Sequence, residues 1–380
     1  MKEASQIGVL MISLDGQLAD PSSDVAGRHQ AYAQNLKFLD IIVLGGRTRI
    51  EQRLSENCRV YWTGSKGWGG LLIGLKLAKK YVHEHQPDLV DTQDPHATGW
   101  IGWRLKKAFS LPLEVHFHGD FWENKYWLRE SWKNVIFNHW QKKIVPQADA
   151  IRVTSVGIKD KLVAYGLAAA KITVINTPIN QAYFQSPATG SRSNTLLFVG
   201  RFEEAKNIIF MLNCLASLWQ TGLDFNLIMV GAGSLDSSIM NWVKARNLSG
   251  RIQVLGWQKT PELIRLYNSC RALLLLSTNE SFGKVIVEAG LQGLPTIASR
   301  TVGASTVIKD KQTGWLAPIN DEAATENLIR MILERSDLAQ SAGERARQNY
   351  IERFDPKLTI KAISDYWLEI INRYHHATLD

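Results

Sequence analysis

Short apolar runs alternate along this chain with longer stretches in which apolar residues recur at helical spacing. The short runs predict buried strands at 7–14, 39–44, 88–91, 113–117 and 150–154, with helices between them at 71–85 and 97–109. A stretch rich in Ser, Thr, Gly and Pro, QSPATGSRSNT at 185–195, interrupts the pattern and reads as a linker. The alternation then restarts, with strands at 196–199, 225–230, 252–255, 272–276 and 295–298. Strand–helix alternation of this kind predicts α/β domains built on parallel sheets. The expected division is an N-terminal domain over 1–186, a C-terminal domain over 187–357 and a terminal helix over 358–380 that crosses back to the first domain. The amphipathic run 356–375 makes one or two helices. Doubly wound sheets bind ligands at the carboxyl ends of their strands, and two such domains on one chain imply a cleft.

Composition narrows this picture little. The 380 residues are 45% hydrophobic, enough for two cores. The net charge of +8 favours anionic partners such as nucleotide phosphates or an anionic membrane. Nucleic acid is not expected, since the sequence carries no helix-turn-helix, zinc or RNP-like motif and no long basic tract. Cys58, Cys214 and Cys270 are widely separated, which argues against a disulfide framework and fits a reducing cytoplasm. Lys2 and Glu3 precede a strand-length apolar run, not a signal peptide, and no run is long enough to span a bilayer. Membrane contact, if made, is expected to be peripheral, on the inner face.

Two segments carry chemistry. In LLFVGRFEEAKN (196–207) a strand ends at Val199, Gly200 permits a turn, and Arg201 and Lys206 precede a helix starting near Asn207. Two cations at a strand-to-helix junction suit a diphosphate, although a solvated loop with two surface cations has the same sequence. In LLLLSTNESFGKVIVEAGLQGLP (273–295) a polar loop holding Glu280 leads into a helix near Gly283 and Lys284, and Glu288 follows one turn later among apolar residues. A carboxylate buried there needs partners, from ligand hydroxyls or a neighbouring side chain; a solvent-facing position needs none.

Glu280 and Glu288 stand in an E-x7-E arrangement, and here the sequence resembles the large retaining glycosyltransferase family 4. That family has the GT-B architecture, two facing Rossmann-like domains with a deep interdomain cleft. The resemblance covers nearly the whole chain and is strongest over 280–299 and 199–207. It implies that Glu288 binds the donor ribose, Glu280 lies against the donor sugar, and Arg201 and Lys206 hold the diphosphate. Backbone amides around Phe282, Gly283, Lys284 and Val285 would meet phosphates and sugar. GAGSLDS, beginning at Gly231, resembles a second donor-side loop; Asp236 at its sixth position breaks a dinucleotide fingerprint. Residues 254–270 resemble the segment facing the nucleobase, and TGWLAP (313–318) a structural exit strand.

In the first half, 20–36 resembles the glycine loop and helix facing the donor, with Gly27 alone where many members carry two glycines. DLVDTQDPHATGW (88–100) resembles the acceptor side, with Asp94 and His96 at its tip. LEVHFHGDFW (113–122) resembles the strand ending in a histidine at the cleft; His118 precedes Gly119 and takes that place, while His116 points the same way on a strand. A satisfied core histidine is the alternative. Residues 148–155 and 172–180 also follow the family's order. The sequence departs from the family at Pro178, where glycine is usual, and at Ser305 or Thr306, where an acidic residue is common.

The expected function is transfer of a hexose-type sugar from a nucleoside-diphosphate sugar to a glycan or lipid-linked acceptor, in cell-surface polysaccharide or glycolipid synthesis, with retention. No metal or other cofactor is expected. DTQD (91–94) has the wrong spacing for D-x-D, and Arg201, Lys206 and a helix N-terminus can stabilise the leaving group. A Rossmann dehydrogenase is disfavoured by the broken fingerprint. A non-catalytic partner subunit is disfavoured by the presence of all four charged residues. The Trp- and Lys-rich stretch 121–143 stays open between an amphipathic helix on an anionic membrane, a core-facing helix with solvated cations, and an acceptor groove. Eight of the 13 tryptophans fall between Trp62 and Trp140.

Overall fold

A computed structural model of the protein describes residues 2–46, 48–187 and 192–377. The chain forms two compact units, residues 1–178 with 357–380, and residues 179–356.

In the first unit the strands are β1 (Gly8–Ser13), β2 (Phe38–Val43), β3 (Glu51–Ser55), β4 (Cys58–Trp62), β5 (Leu89–Thr92), β6 (Leu113–Phe117), β7 (Ala150–Val153) and β8 (Ile172–Val174). Among the described residues they form one sheet in the order β3-β4-β2-β1-β5-β6-β7-β8. All pairings are parallel except β3 with β4. Every residue of β1 and β2 is buried, which is why these strands read as unbroken apolar runs. The connections run outward from β1 to β2 and then resume at β5, so the topological switch lies between β1 and β5.

The hairpin β3–β4 departs from the sequence pattern. β3 is an edge strand of polar, half-exposed residues, so no apolar run marks it. β8 is too short to register as one.

The C-terminal run is one helix, Pro356–Ala377. Its residues Ile363, Trp367, Ile370 and Ile371 complete the first unit's core against Met11, Tyr32 and Leu39. The stretch 121–143 is not one helix but two, Lys125–Glu130 and Trp132–Ile144. The break falls at Ser131, whose backbone is extended and whose hydroxyl accepts from Lys133 N.

The second unit contains β9 (Thr195–Val199), β10 (Asn226–Val230), β11 (Ile252–Leu255), β12 (Ala272–Leu275), β13 (Thr296–Ser299) and β14 (Gly314–Ala317). They form a parallel sheet in the order β11-β10-β9-β12-β13-β14, with its switch between β9 and β12. Of the linker stretch, residues 188–191 lie outside the described residues. Among the described residues no helix is long and apolar enough to cross a membrane.

Candidate active site

In the second unit the charged residues gather at the carboxyl ends of β9 and β12. Beyond β9, the loop 200–207 is locked to the loop after β10. Phe202 N donates to Ala232 O at 3.0 Å and Leu235 N to Phe202 O at 2.9 Å. Gly231 makes this approach possible. Its φ is +141°, and a Cβ there would lie 1.9 Å from Gly200 O. Lys206 turns back toward the loop after β12, where its Nζ meets Glu280 Oε2 at 2.6 Å. The two loops are joined a second time by Thr278 N, which donates to Ala205 O at 2.9 Å. Gly303 N fixes the backbone of Glu280 from the far side, donating to its carbonyl at 2.8 Å.

The helix Lys284–Leu291 starts beside this ion pair. Gly283, at φ +80°, is its N-cap and supplies no side-chain cap. A Cβ on Gly283 would lie 2.6 Å from Ile286 Cδ1 and 3.5 Å from Glu280 Cγ, so the Glu280 side chain packs against the helix start. First-turn amides of a helix have no acceptor within it, and the helix dipole leaves partial positive charge there. Glu288 faces inward from the same helix and is 5% exposed. Its Oε2 accepts from the Tyr267 hydroxyl at 3.2 Å, and its Oε1 lies 3.4 Å from Lys284 Nζ. Burial and the Glu288 carboxylate push the Tyr267 phenol well above its usual range. Phe282 is buried, Val285 half-buried and Arg201 exposed.

In the first unit a chain of polar contacts runs through the sheet to His118. Trp367 Nε1 donates to Glu114 Oε2 at 2.6 Å. Arg152 bridges Glu114 Oε1 at 2.7 Å and Asp91 Oδ2 at 3.1 Å, with all three charged groups buried. Gln93 Nε2 donates to Asp91 Oδ1 at 2.7 Å. The Gln93 amide oxygen therefore faces His118 Nε2, at 2.5 Å, and that nitrogen carries the proton. Burial and Glu114 raise the Asp91 carboxyl, and Arg152 holds it back. His116 is 3% exposed, its ring centroid 3.6 Å from that of His118, and neither of its nitrogens has a hydrogen-bond partner among the described residues. Burial, then Arg152, His118 and Arg28, hold its imidazole well below the usual value.

Two family models match adjoining parts of the chain. Residues 180–349 match the model described as glycosyl transferases group 1, and residues 38–183 match glycosyltransferase family 4.

Together the two matches mark the chain as a glycosyltransferase of family 4 type.

Among curated relatives, a lipopolysaccharide 1,6-galactosyltransferase of Escherichia coli is 27% identical over 304 residues, 76% of this chain and 79% of that one. Among solved structures, sucrose-phosphate synthase of Thermosynechococcus elongatus superposes with a TM-score of 0.83 at 20% identity, covering 97% of this chain and 100% of that one. The Anabaena protein HepE in complex with UDP-glucose gives 0.77 at 16% identity, covering 96% and 100%. These likenesses establish the GT-B fold of two Rossmann-like α/β domains.

In this family-4-type glycosyltransferase the structure brings Lys206, Glu280, Gly283, Lys284 and Glu288 into one connected cluster, with Gly231 packed beneath the same loops. Glu288 is buried and partnered, so the solvent-facing alternative does not apply. Gly27 lies inside the helix Asp24–Ala33, not in a loop, and no atom crowds the place of its absent Cβ. Asp94 caps the helix Ala97–Phe109, accepting from His96 N at 2.8 Å and Thr98 N at 3.2 Å. Burial would raise its carboxyl, but His96 and these amides lower it. His96 is the N-cap residue of that helix and is 8% exposed.

Sequence reading missed Tyr267, Gln93 and Arg152. Arg152, Glu114 and Asp91 had a signal: three charges inside three apolar strand patterns must pair with each other or with a ligand. Tyr267 had none, since nothing in its spacing points to Glu288.

Proposed function

We propose that this glycosyltransferase moves a hexose-type sugar from a nucleoside-diphosphate sugar to a glycan or lipid-linked acceptor with retention of anomeric configuration. The observation that carries this reading is the Lys206–Glu280 ion pair at the N-terminus of the helix that holds Glu288. As the bond from the anomeric carbon to the leaving oxygen breaks, negative charge grows on the diphosphate. Arg201, Lys206 and the amides of Gly283, Lys284 and Val285 offer positive charge and donors for it, so the reaction proceeds without a metal. Glu280 would release part of its hold on Lys206 to a sugar hydroxyl. Glu288 would exchange its contact with Lys284 for ribose hydroxyls, retaining Tyr267. His118, its ring oriented by Gln93, would orient the transferred sugar or polarise a hydroxyl. In a retaining transfer on one face, the leaving phosphate oxygen takes the proton of the acceptor hydroxyl. The likeness to HepE, which was solved with UDP-glucose bound, supports a nucleotide-sugar donor. The lipopolysaccharide galactosyltransferase supports a cell-surface glycan acceptor.

The test is a calorimetric screen of UDP-, GDP- and ADP-sugars on wild type and Glu288→Ala. One donor binding the wild type and weakening about 10- to 100-fold in the variant is expected from loss of charged hydrogen bonds. No binding of any nucleotide sugar to the wild type would remove the proposal. Activity abolished by EDTA and restored by magnesium would refute the metal-free step, and an inverted product anomer by NMR would refute retention.

A further inference from the structure

An apolar hollow of the first unit lies beside His96. It is a cavity of about 410 Å³, within the size range of small-molecule sites. One wall is the start of the helix Gly67–His85, with Trp68 and Leu71. The facing wall is the helix Trp132–Ile144, with Ile136, Phe137 and Trp140. The floor comes from Leu14, Leu44 and His96, which follow β1, β2 and β5 at their carboxyl ends, where α/β sheets bind ligands.

Three features give this hollow an occupant. Its apolar residues are left in water: Trp68 is 67% exposed, Trp132 70%, Leu14 50% and Ile136 40%. An apolar patch concentrated in one hollow marks a binding site. Polar groups in it are few. His96 contributes an Nε2 that has no hydrogen-bond partner among the described residues, and Lys133 is the charged group in the lining. A sugar alone would leave most of its hydroxyls without partners against these walls. The sign of Lys133 suits an anionic group attached to the apolar one.

We infer that this cavity holds the hydrocarbon chain of a lipid-linked acceptor, with the phosphate that joins chain to glycan at Lys133. The inference rests on the transferase reading above and narrows its acceptor to an amphiphile. A hydrocarbon chain fills apolar walls without hydrogen bonds, and each buried methylene contributes about 0.8 kcal/mol, or about fourfold in affinity.

The full-length protein is titrated with dodecyl phosphate below its micelle concentration and followed by tryptophan fluorescence. Butyl phosphate and inorganic phosphate serve as short-chain probes. Saturable binding of dodecyl phosphate is expected, at least 100-fold tighter than butyl phosphate. Ile136→Glu should weaken it at least 10-fold, and Trp132→Ala, at a more exposed position, should weaken it without disturbing the fold. Both variants should keep the wild-type circular dichroism and nucleotide-sugar binding. Equal binding of dodecyl phosphate by wild type and both variants, or none by wild type, overturns the inference. So does binding to phosphatidylglycerol vesicles that Ile136→Glu leaves unchanged while dodecyl phosphate fails to bind, since the aromatic face then meets a bilayer surface. Failure of chain binding with nucleotide-sugar binding intact removes this inference alone. Failure of nucleotide-sugar binding removes the transferase reading.

Discussion

Glu280 and Glu288 have the same chemistry and different surroundings. Glu280 is held by Lys206 at a half-buried loop, whereas Glu288 is sunk in a helix between Tyr267 and Lys284. Tyr267→Phe removes a hydrogen bond to a buried carboxylate, a loss of about 1.5–3 kcal/mol. The melting temperature should fall by several degrees, and donor affinity should fall with it because Glu288 loses its fixed orientation. An unchanged melting curve would show that the hydroxyl is not holding the carboxylate. A second effect at this scale is pH-dependent. His29 is buried, its Nδ1 bonded to Val25 O at 2.7 Å, and burial followed by Arg28 lowers its pKa to about 3. Unfolded, it titrates near 6.5, so between these values the unfolded chain binds the extra proton. Stability is therefore complete above pH 6.5 and falls as pH drops toward 3, by up to about 1.4 kcal/mol per pH unit. His116 acts in the same direction. Melting temperatures between pH 7 and 5 should drop for wild type and less steeply for His29→Gln. Lys206 and Glu280 stood out in the sequence as charges in loops that follow apolar strands, and Glu288 as a charge inside an apolar run; the E-x7-E resemblance is what joined them. Tyr267 was not, because helix-to-helix contact leaves no spacing of its own.

Elements turn these side chains toward one another through glycines. Gly231 and Gly283 both have positive φ, but their surroundings differ. A methyl at Gly283 meets the end of the Ile286 side chain, which can move; at Gly231 it meets the backbone carbonyl of Gly200, a residue whose N–H is bonded to Val230 O. Gly283→Ala should cost about 1 kcal/mol or somewhat more through strained backbone. Gly231→Ala should cost several-fold more and weaken donor binding, because loop 200–207 cannot keep its place against loop 231–235. Denaturant midpoints of the two variants check this order. Most strands were legible as apolar runs. The hairpin β3–β4 was not, because its outer strand faces water and Arg59 interrupts the inner one to pair with Asp40 at 2.9 Å. The break at Ser131 was also hidden, since it depends on a cap and not on an apolar period.

At the scale of the whole molecule, the helix Pro356–Ala377 belongs to the unit that the chain left at Pro178. Trp367 supplies one of the partners that make a buried Glu114 tolerable. Trp367→Phe keeps an aromatic ring but removes the donor and leaves a small void, and should cost at least about 1–3 kcal/mol, the range for a buried group left without a bond. The loss should appear in the first unit's melting, with the second unit's nucleotide-sugar binding unchanged. Equal stability of this variant and wild type would mean that the indole N–H is not needed to hold Glu114 in the core.

That returning helix also imposes an order on the birth of the protein. Residues 179–356 form an uninterrupted piece of chain and can fold as soon as they leave the ribosome. The piece that emerges first cannot close its core, because Trp367 and Ile371 have not been made. At ordinary elongation rates the intervening stretch takes on the order of 10–40 s to synthesise. For that time the inner faces of β1 and β2, and the second carboxylate oxygen of Glu114, wait for a partner still to be translated. The half of the enzyme begun first is finished last.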